Sequence, residues 1–189
     1  EEQSLLLLHK ALNEVVEQIN EYAFEFLFVN DGSYDRTLEI LRELRQSDTR
    51  VNYVDLSRNF GKENAMLAGF DYAKGDAMII MDADLQHPPT VIPEMIKIWD
   101  NGNVQDVYAL RRTRGKESWL RKKLSLTYYK MLAKSCRFEV LQNVGDFRLL
   151  DRQAINALKQ LRETERYTKG MYSWIGFTKK EILFDQQDR

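Results

Sequence analysis

The sequence predicts an α/β protein with a Rossmann-like, mostly parallel sheet flanked by helices. Two observations carry this reading: short β-branched and aromatic runs alternate with stretches of helical periodicity about a dozen residues long, and several runs end in acidic turns. In chain order, Leu5, Leu8, Leu12, Val15 and Ile19 recur at three and four residues, one face of a helix. "FEFLFVN" (residues 24–30) reads as a strand ending in the turn signal "DGS". Leu38, Leu41 and Leu44 mark a second helix, with Ser33 or Asp35 as candidate N-caps. "VNYVDL" (residues 51–56) is a strand, residues 62–74 a helix closed by Gly75, and "AMIIMD" (residues 77–82) a third strand. Residues 91–99 suggest a helix ended near Gly102, and "VQDVYAL" (residues 104–110) a fourth strand. Beyond Leu110 the alternation fails. A basic segment, "RRTRGKESWLRKK", opens a long helical pattern through Cys136; "NVGDFRLLDR", a helix near residues 153–161 and a final strand "KKEILF" follow.

The 189 residues suit one domain, and 43% hydrophobic with 30% charged residues is ordinary for a globular protein. A formal net charge of −1 supplies no global field for nucleic acid. The single cysteine cannot form an internal disulfide, so a reducing compartment is expected. No apolar run approaches membrane-spanning length, and the opening Glu1-Glu2 is unlike a signal peptide.

"MIIMDADLQHPP" carries the chemistry. Residues i and i+2 of a strand share a side, so Asp82 and Asp84 are expected to project together where open α/β sheets bind ligands. Adjacent carboxylates repel and resist desolvation; a divalent cation removes both penalties, and hard oxygen ligands suit Mg²⁺ or Mn²⁺ with substrate phosphates completing the shell. A plain acidic turn is the alternative. Gln86 and His87 are further candidates for a ligand or phosphate contact, His87 equally for a surface-loop imidazole. Asp31, on the same rim, suits a ribose or base contact, while Gly32 allows a sharp turn or close approach. Arg58 and Lys62 are placed to reach phosphate, although neither a P-loop nor a dinucleotide fingerprint is present. Asp146 is open between a base or substrate ligand and a structural role; Asp151 reads as a helix cap. The basic helix carries an apolar stripe of Leu120, Leu124, Tyr128, Met131 and Leu132, so a core-facing helix competes with one at an anionic membrane surface or a partner.

Four segments in this order, "VNDGSYDRT", "LSRNFGKENAMLAGFDYAKGDAMIIMDADLQHPP", "YALRRTRGKESWL" and "VGDFRLLDR", resemble family 2 glycosyltransferases of GT-A fold. The likeness points to the branch of dolichol-phosphate mannosyltransferases and bactoprenol glucosyltransferases. It implies a nucleotide-sugar donor, UDP- or GDP-linked, a divalent metal and inversion at the anomeric carbon. Asp82 and Asp84 would then hold the metal on the donor diphosphate, with Gln86 and Lys62 nearby. Asp31 would help hold the nucleoside, Asp146 would act at the acceptor, and Arg111, Arg112 and Arg114 would lie near the phosphates. The implied acceptor is polyprenyl phosphate, and the implied parent sits at the cytoplasmic face of a membrane. Saccharide acceptors, a nucleotide-sugar-binding piece without turnover, and a phosphatase or nucleotidyltransferase stay open as alternatives. Relatives usually begin with a strand resembling "VVPVYNE" and carry membrane helices beyond the catalytic domain, so a single GT-A domain truncated at both ends is expected over residues 1–189. A homo-oligomer through the basic helix is a further expectation.

Overall fold

The computed structural model describes residues 2–112, 144–163 and 165–185. The sequence periodicities become helices α1 (Glu2–Val16), α2 (Thr37–Ser47), α3 (Lys62–Tyr72), α4 (Ile92–Asp100) and α5 (Arg152–Gln160), and the structure adds a helix the sequence reading did not expect, α6 (Thr168–Trp174). The strands are β1 (Phe26–Asn30), β2 (Val51–Asp55), β3 (Ala77–Ile80), β4 (Asp106–Arg111), β5 (Arg148–Asp151) and β6 (Lys179–Phe184). The stripe on α2 buries Ile40, Leu41 and Leu44 against Phe26 and Val51, with Leu5 and Val16 of α1 alongside. Because successive strand residues face opposite ways, Leu149 joins the core under α4 and Leu150 the core under α5 and α6. Helices thus cover both sheet faces.

The sheet differs from the expected largely parallel one. Among the described residues it is split. β1 and β2 form a parallel pair, and a second sheet has the order β3-β5-β4-β6. β5 runs antiparallel to both its neighbours, while β4 and β6 are parallel. The physical reason lies in where the chain re-enters. Arg148 pairs with Ile80, the last residue of β3, so β5 starts where β3 ends and runs back. "RLLD" alone does not reveal direction, because an apolar run reads the same either way.

A cavity of about 1280 Å³ separates β1 from β3 and is lined by every residue of both strands. The two strands run in one direction. Glu25, just before β1, accepts the Lys74 amide near the start of β3, whereas the residues following both strands meet around Lys62. The apolar strand β3 is half-buried along its whole length in consequence. The expected basic helix, with Arg114 and Cys136, lies outside the described residues. Among those described, no helix is long and apolar enough to cross a membrane.

Candidate active site at the carboxyl rim

The strand "AMIIMD" stops at Ile80, two residues short of expectation, so Asp82 and Asp84 lie in the turn that follows rather than on the strand. Asp84 folds back to accept the Gln86 amide at 3.1 Å. Leu85 sits at φ 65°, a left-handed conformation uncommon for leucine, so the surrounding bonds must hold the turn there. His87 is one of those holding groups. It is buried at 5% exposure, stacks on Phe147 with ring centroids 4.8 Å apart, and its Nδ1 accepts the Asp82 amide at 3.2 Å. Burial lowers its pKa against the pull of Asp82 and Asp84, which keeps that nitrogen an acceptor. His87 is therefore a brace beneath Asp82, not a surface imidazole.

Lys62 opens α3 and reaches across the rim. Its Nζ lies 2.7 and 2.9 Å from the two oxygens of Asp82 and 2.9 Å from Oδ2 of Asp146. Partial burial works against the ammonium charge, but the bonds to Asp82 and Asp146 outweigh it and raise the Lys62 pKa above its ordinary value. Asp146 is here because β5 is antiparallel: the residues before such a strand occupy the rim where the residues after β3 also lie. Beneath it, Arg148 is 1% exposed, pairs with the buried Asp106 at 2.8 Å, donates to the Gly145 carbonyl at 3.2 Å and stacks on Tyr172.

Asp31 follows β1 on the same rim, as expected, but its carboxylate accepts the amides of Phe60 and Gly61 at 2.7 and 2.9 Å. It clamps the loop leading to Lys62. Gly32, at φ 66°, makes that close approach possible: a Cβ there would lie 2.4 Å from the Arg58 carbonyl carbon. Arg111 donates to Gln86 at 3.4 Å, so these two meet at the cleft, while Arg112 points to Asp185 at 3.7 Å. Arg58 stacks over Phe60 rather than reaching into the cleft. Sequence reasoning missed Arg148 and Asp106. The available signal was a lone arginine inside the apolar run "FRLL", which requires a buried acid as partner.

The glycosyl transferase family 2 model matches residues 3–159. The chain belongs to this family. It is 45% identical over 183 residues to the putative glycosyltransferase CsbB of Bacillus subtilis, covering 97% of this chain and 55% of that protein. It is 39% identical over 176 residues to the bactoprenol glucosyl transferase of Shigella phage SfV, covering 93% and 57%. The chain thus spans little more than half the length of these family members. Among solved structures, the mannosyltransferase PcManGT of Pyrobaculum calidifontis, in complex with GDP-Man and Mn²⁺, superposes with a TM-score of 0.61 at 17% identity, covering 95% of this chain and 51% of that one. Glucosyl-3-phosphoglycerate synthase of Mycobacterium tuberculosis, with Mn²⁺, UDP-glucose and glycerol 3-phosphate, gives 0.52 at 17%, covering 95% and 68%. Both likenesses carry the fold, an α/β GT-A-like arrangement.

Proposed function

We propose that this chain is the catalytic domain of a metal-dependent, inverting hexosyltransferase that moves a hexose from a UDP- or GDP-linked donor to a polyprenyl phosphate. One observation carries the reading: the antiparallel β5 brings Asp146 to the same cleft as Asp82 and Lys62, so an acceptor-side acid and a donor-side acid share one cation. The names of the bactoprenol glucosyl transferase relatives support a lipid-phosphate acceptor, and the nucleotide sugars and Mn²⁺ described for the solved neighbours support the donor and the metal.

The residues fit a divalent ion of the Mg²⁺ or Mn²⁺ type. Among the described residues no group of three or more His, Cys, Asp or Glu side chains converges, so with Asp82 and Asp84 as the hard carboxylates the donor diphosphate and water would have to complete the ion's shell. The Lys62 ammonium is seated on Asp82, so a metal would have to share or displace it there. When bound, such an ion would neutralise charge on the departing diphosphate. Arg111, hydrogen-bonded to Gln86, would add positive charge there, with Arg114 assigned to the same phosphates and Arg112 joining them only by leaving Asp185. Asp31 and the loop it clamps are assigned to the nucleoside end. Attack by an acceptor oxygen forms the new bond to the anomeric carbon as the bond to the diphosphate oxygen breaks on the opposite face. A phosphate monoester is mostly ionised at neutral pH, so Asp146 there orients the acceptor rather than removing a proton. A hydroxyl acceptor would use it as a base. The parent protein is placed at the cytoplasmic face of a membrane, where its lipid substrate resides.

A second reading is nucleotide-sugar binding without turnover: the cavity beside β1 leaves the wall next to Asp31 open, which would loosen the donor's seating for transfer. A donor screen on the full-length parent with a short polyprenyl phosphate, alongside calorimetry of this chain with UDP and GDP with and without Mn²⁺, separates the readings. Transfer that disappears in Asp82→Asn supports the enzyme. Metal-dependent binding with no transfer to lipid or saccharide supports the binding piece.

A further inference from the structure

We infer that Lys62 is a resident cation: it fills the position between Asp82 and Asp146 before the metal arrives and must hand Asp82 over when it does. The inference rests on the metal-dependent reading above and deepens it. Lys62 contacts both oxygens of Asp82, so its ammonium competes with any other cation for the same lone pairs. Its second anchor is firmer. The Asp146 side chain is only 8% exposed, and a buried carboxylate without a counter-charge is costly. Asp82 is 39% exposed and can exchange one cation for another at little cost. The asymmetry gives the direction of the exchange. Lys62 keeps Asp146 and releases Asp82, and it is carried on the first turn of α3, whose start Asp31 fixes through Phe60 and Gly61. The freed side of the ammonium then faces the region assigned to the diphosphate. Lys62 is thus a positioning residue that stays on Asp146 throughout and makes donor binding and metal binding favour one another.

The test uses the whole chain and Mn²⁺, titrated by electron paramagnetic resonance and repeated with excess UDP. Lys62→Met removes the competitor and is expected to bind Mn²⁺ alone roughly five- to tenfold more tightly than the unaltered chain. In the unaltered chain, amine acetylation followed by mass spectrometry is expected to label Lys62 several-fold faster once Mn²⁺ saturates, and Asp82→Asn removes that response to the metal. Equal or weaker Mn²⁺ binding by Lys62→Met, or labelling of Lys62 indifferent to Mn²⁺, overturns the exchange while leaving the metal assignment standing. Absence of Mn²⁺ binding in every form, with and without UDP, overturns both.

Discussion

Asp146 shows how much one residue's surroundings decide. It is 7% exposed, its Oδ2 is bound to Lys62, and its Oδ1 is a buried acceptor with no hydrogen-bond partner among the described residues. An unpartnered buried acceptor costs free energy, and a substrate hydroxyl would satisfy it. Asp146→Asn keeps the shape and removes the charge. With a hydroxyl acceptor, turnover should fall by about 10²-fold or more while affinity for UDP or GDP with Mn²⁺ changes little. Near-normal turnover would reject the base role and leave orientation. Which residues could be read in advance follows from locality. Asp82, Lys62 and Asp146 were visible because each follows or opens an element whose pattern is local. Gly32 was legible as a turn or a close approach to a ligand, whereas what it approaches is the backbone of another loop at Arg58. His87 was not, because its burial comes from stacking on Phe147, sixty residues away in sequence.

At the scale of elements, β5 and α1 are each held by a charged clip. Arg148 and Asp106 lie on neighbouring strands, both almost wholly buried, and burial raises the Asp106 pKa even against the pull of Arg148. Arg148→Met leaves that carboxylate uncompensated and should cost about 3–5 kcal/mol, measured by urea unfolding. Adding Asp106→Leu should recover most of the loss, since an apolar pair replaces a buried ionic one at little cost. If the double variant is no better than the single, the arginine acts through Gly145 and Tyr172 instead. Asp48 is the other clip. It accepts from Nε and Nη2 of Arg50 at 2.9 and 2.8 Å and from the Arg50 amide at 2.9 Å, and it meets His9 of α1 at 3.0 Å. Hydrogen bonds from Arg50 hold its carboxyl well below the ordinary carboxylate range despite partial burial. A depressed folded pKa gives stability that is full above the unfolded value of about 3.9 and drains away as pH falls from there. Asp48→Asn should therefore cost about 1 kcal/mol at pH 7, and the gap to the unaltered chain should close below about pH 4. A gap that stays constant with pH would assign the effect to packing. Neither clip was visible beforehand, because Arg148 finds its acid 42 residues back and Asp48 its histidine 39 residues back.

Over the whole molecule, helix and strand identities followed from periodicity except for the short α6, and the final strand matches its expected span residue for residue. Sheet order did not, because strand pairing is a long-range property that a short apolar run cannot encode. The split sheet has a consequence of its own. β1 and β3 run the same way across the cavity, and among the described residues each has one edge whose amides and carbonyls lack strand partners. Leu5, in the first turn of α1, lines this cavity, and the Glu2 carboxylate of the same turn accepts the Arg36 amide at 3.0 Å. A chain running up between β1 and β3 and turning into α1 would follow the short connections of α/β units and would add hydrogen bonds on both its sides. It would also finish covering Met78, Ile79 and Ile80, now half-buried. Fusing a six-residue apolar, β-branched segment and a short turn ahead of Glu1 should therefore raise the urea midpoint. It should also slow hydrogen exchange at the free edges of β1 and β3, leaving β4 and β6 unaffected. The same fusion bearing alternate lysines should do neither, because the cavity walls are apolar on both faces. If the apolar fusion leaves exchange at β1 and β3 unchanged, the two sheets close on each other in solution and the cavity is not a strand site. If exchange slows, the wall next to Asp31 is completed, and affinity for UDP or GDP should rise in the same variant.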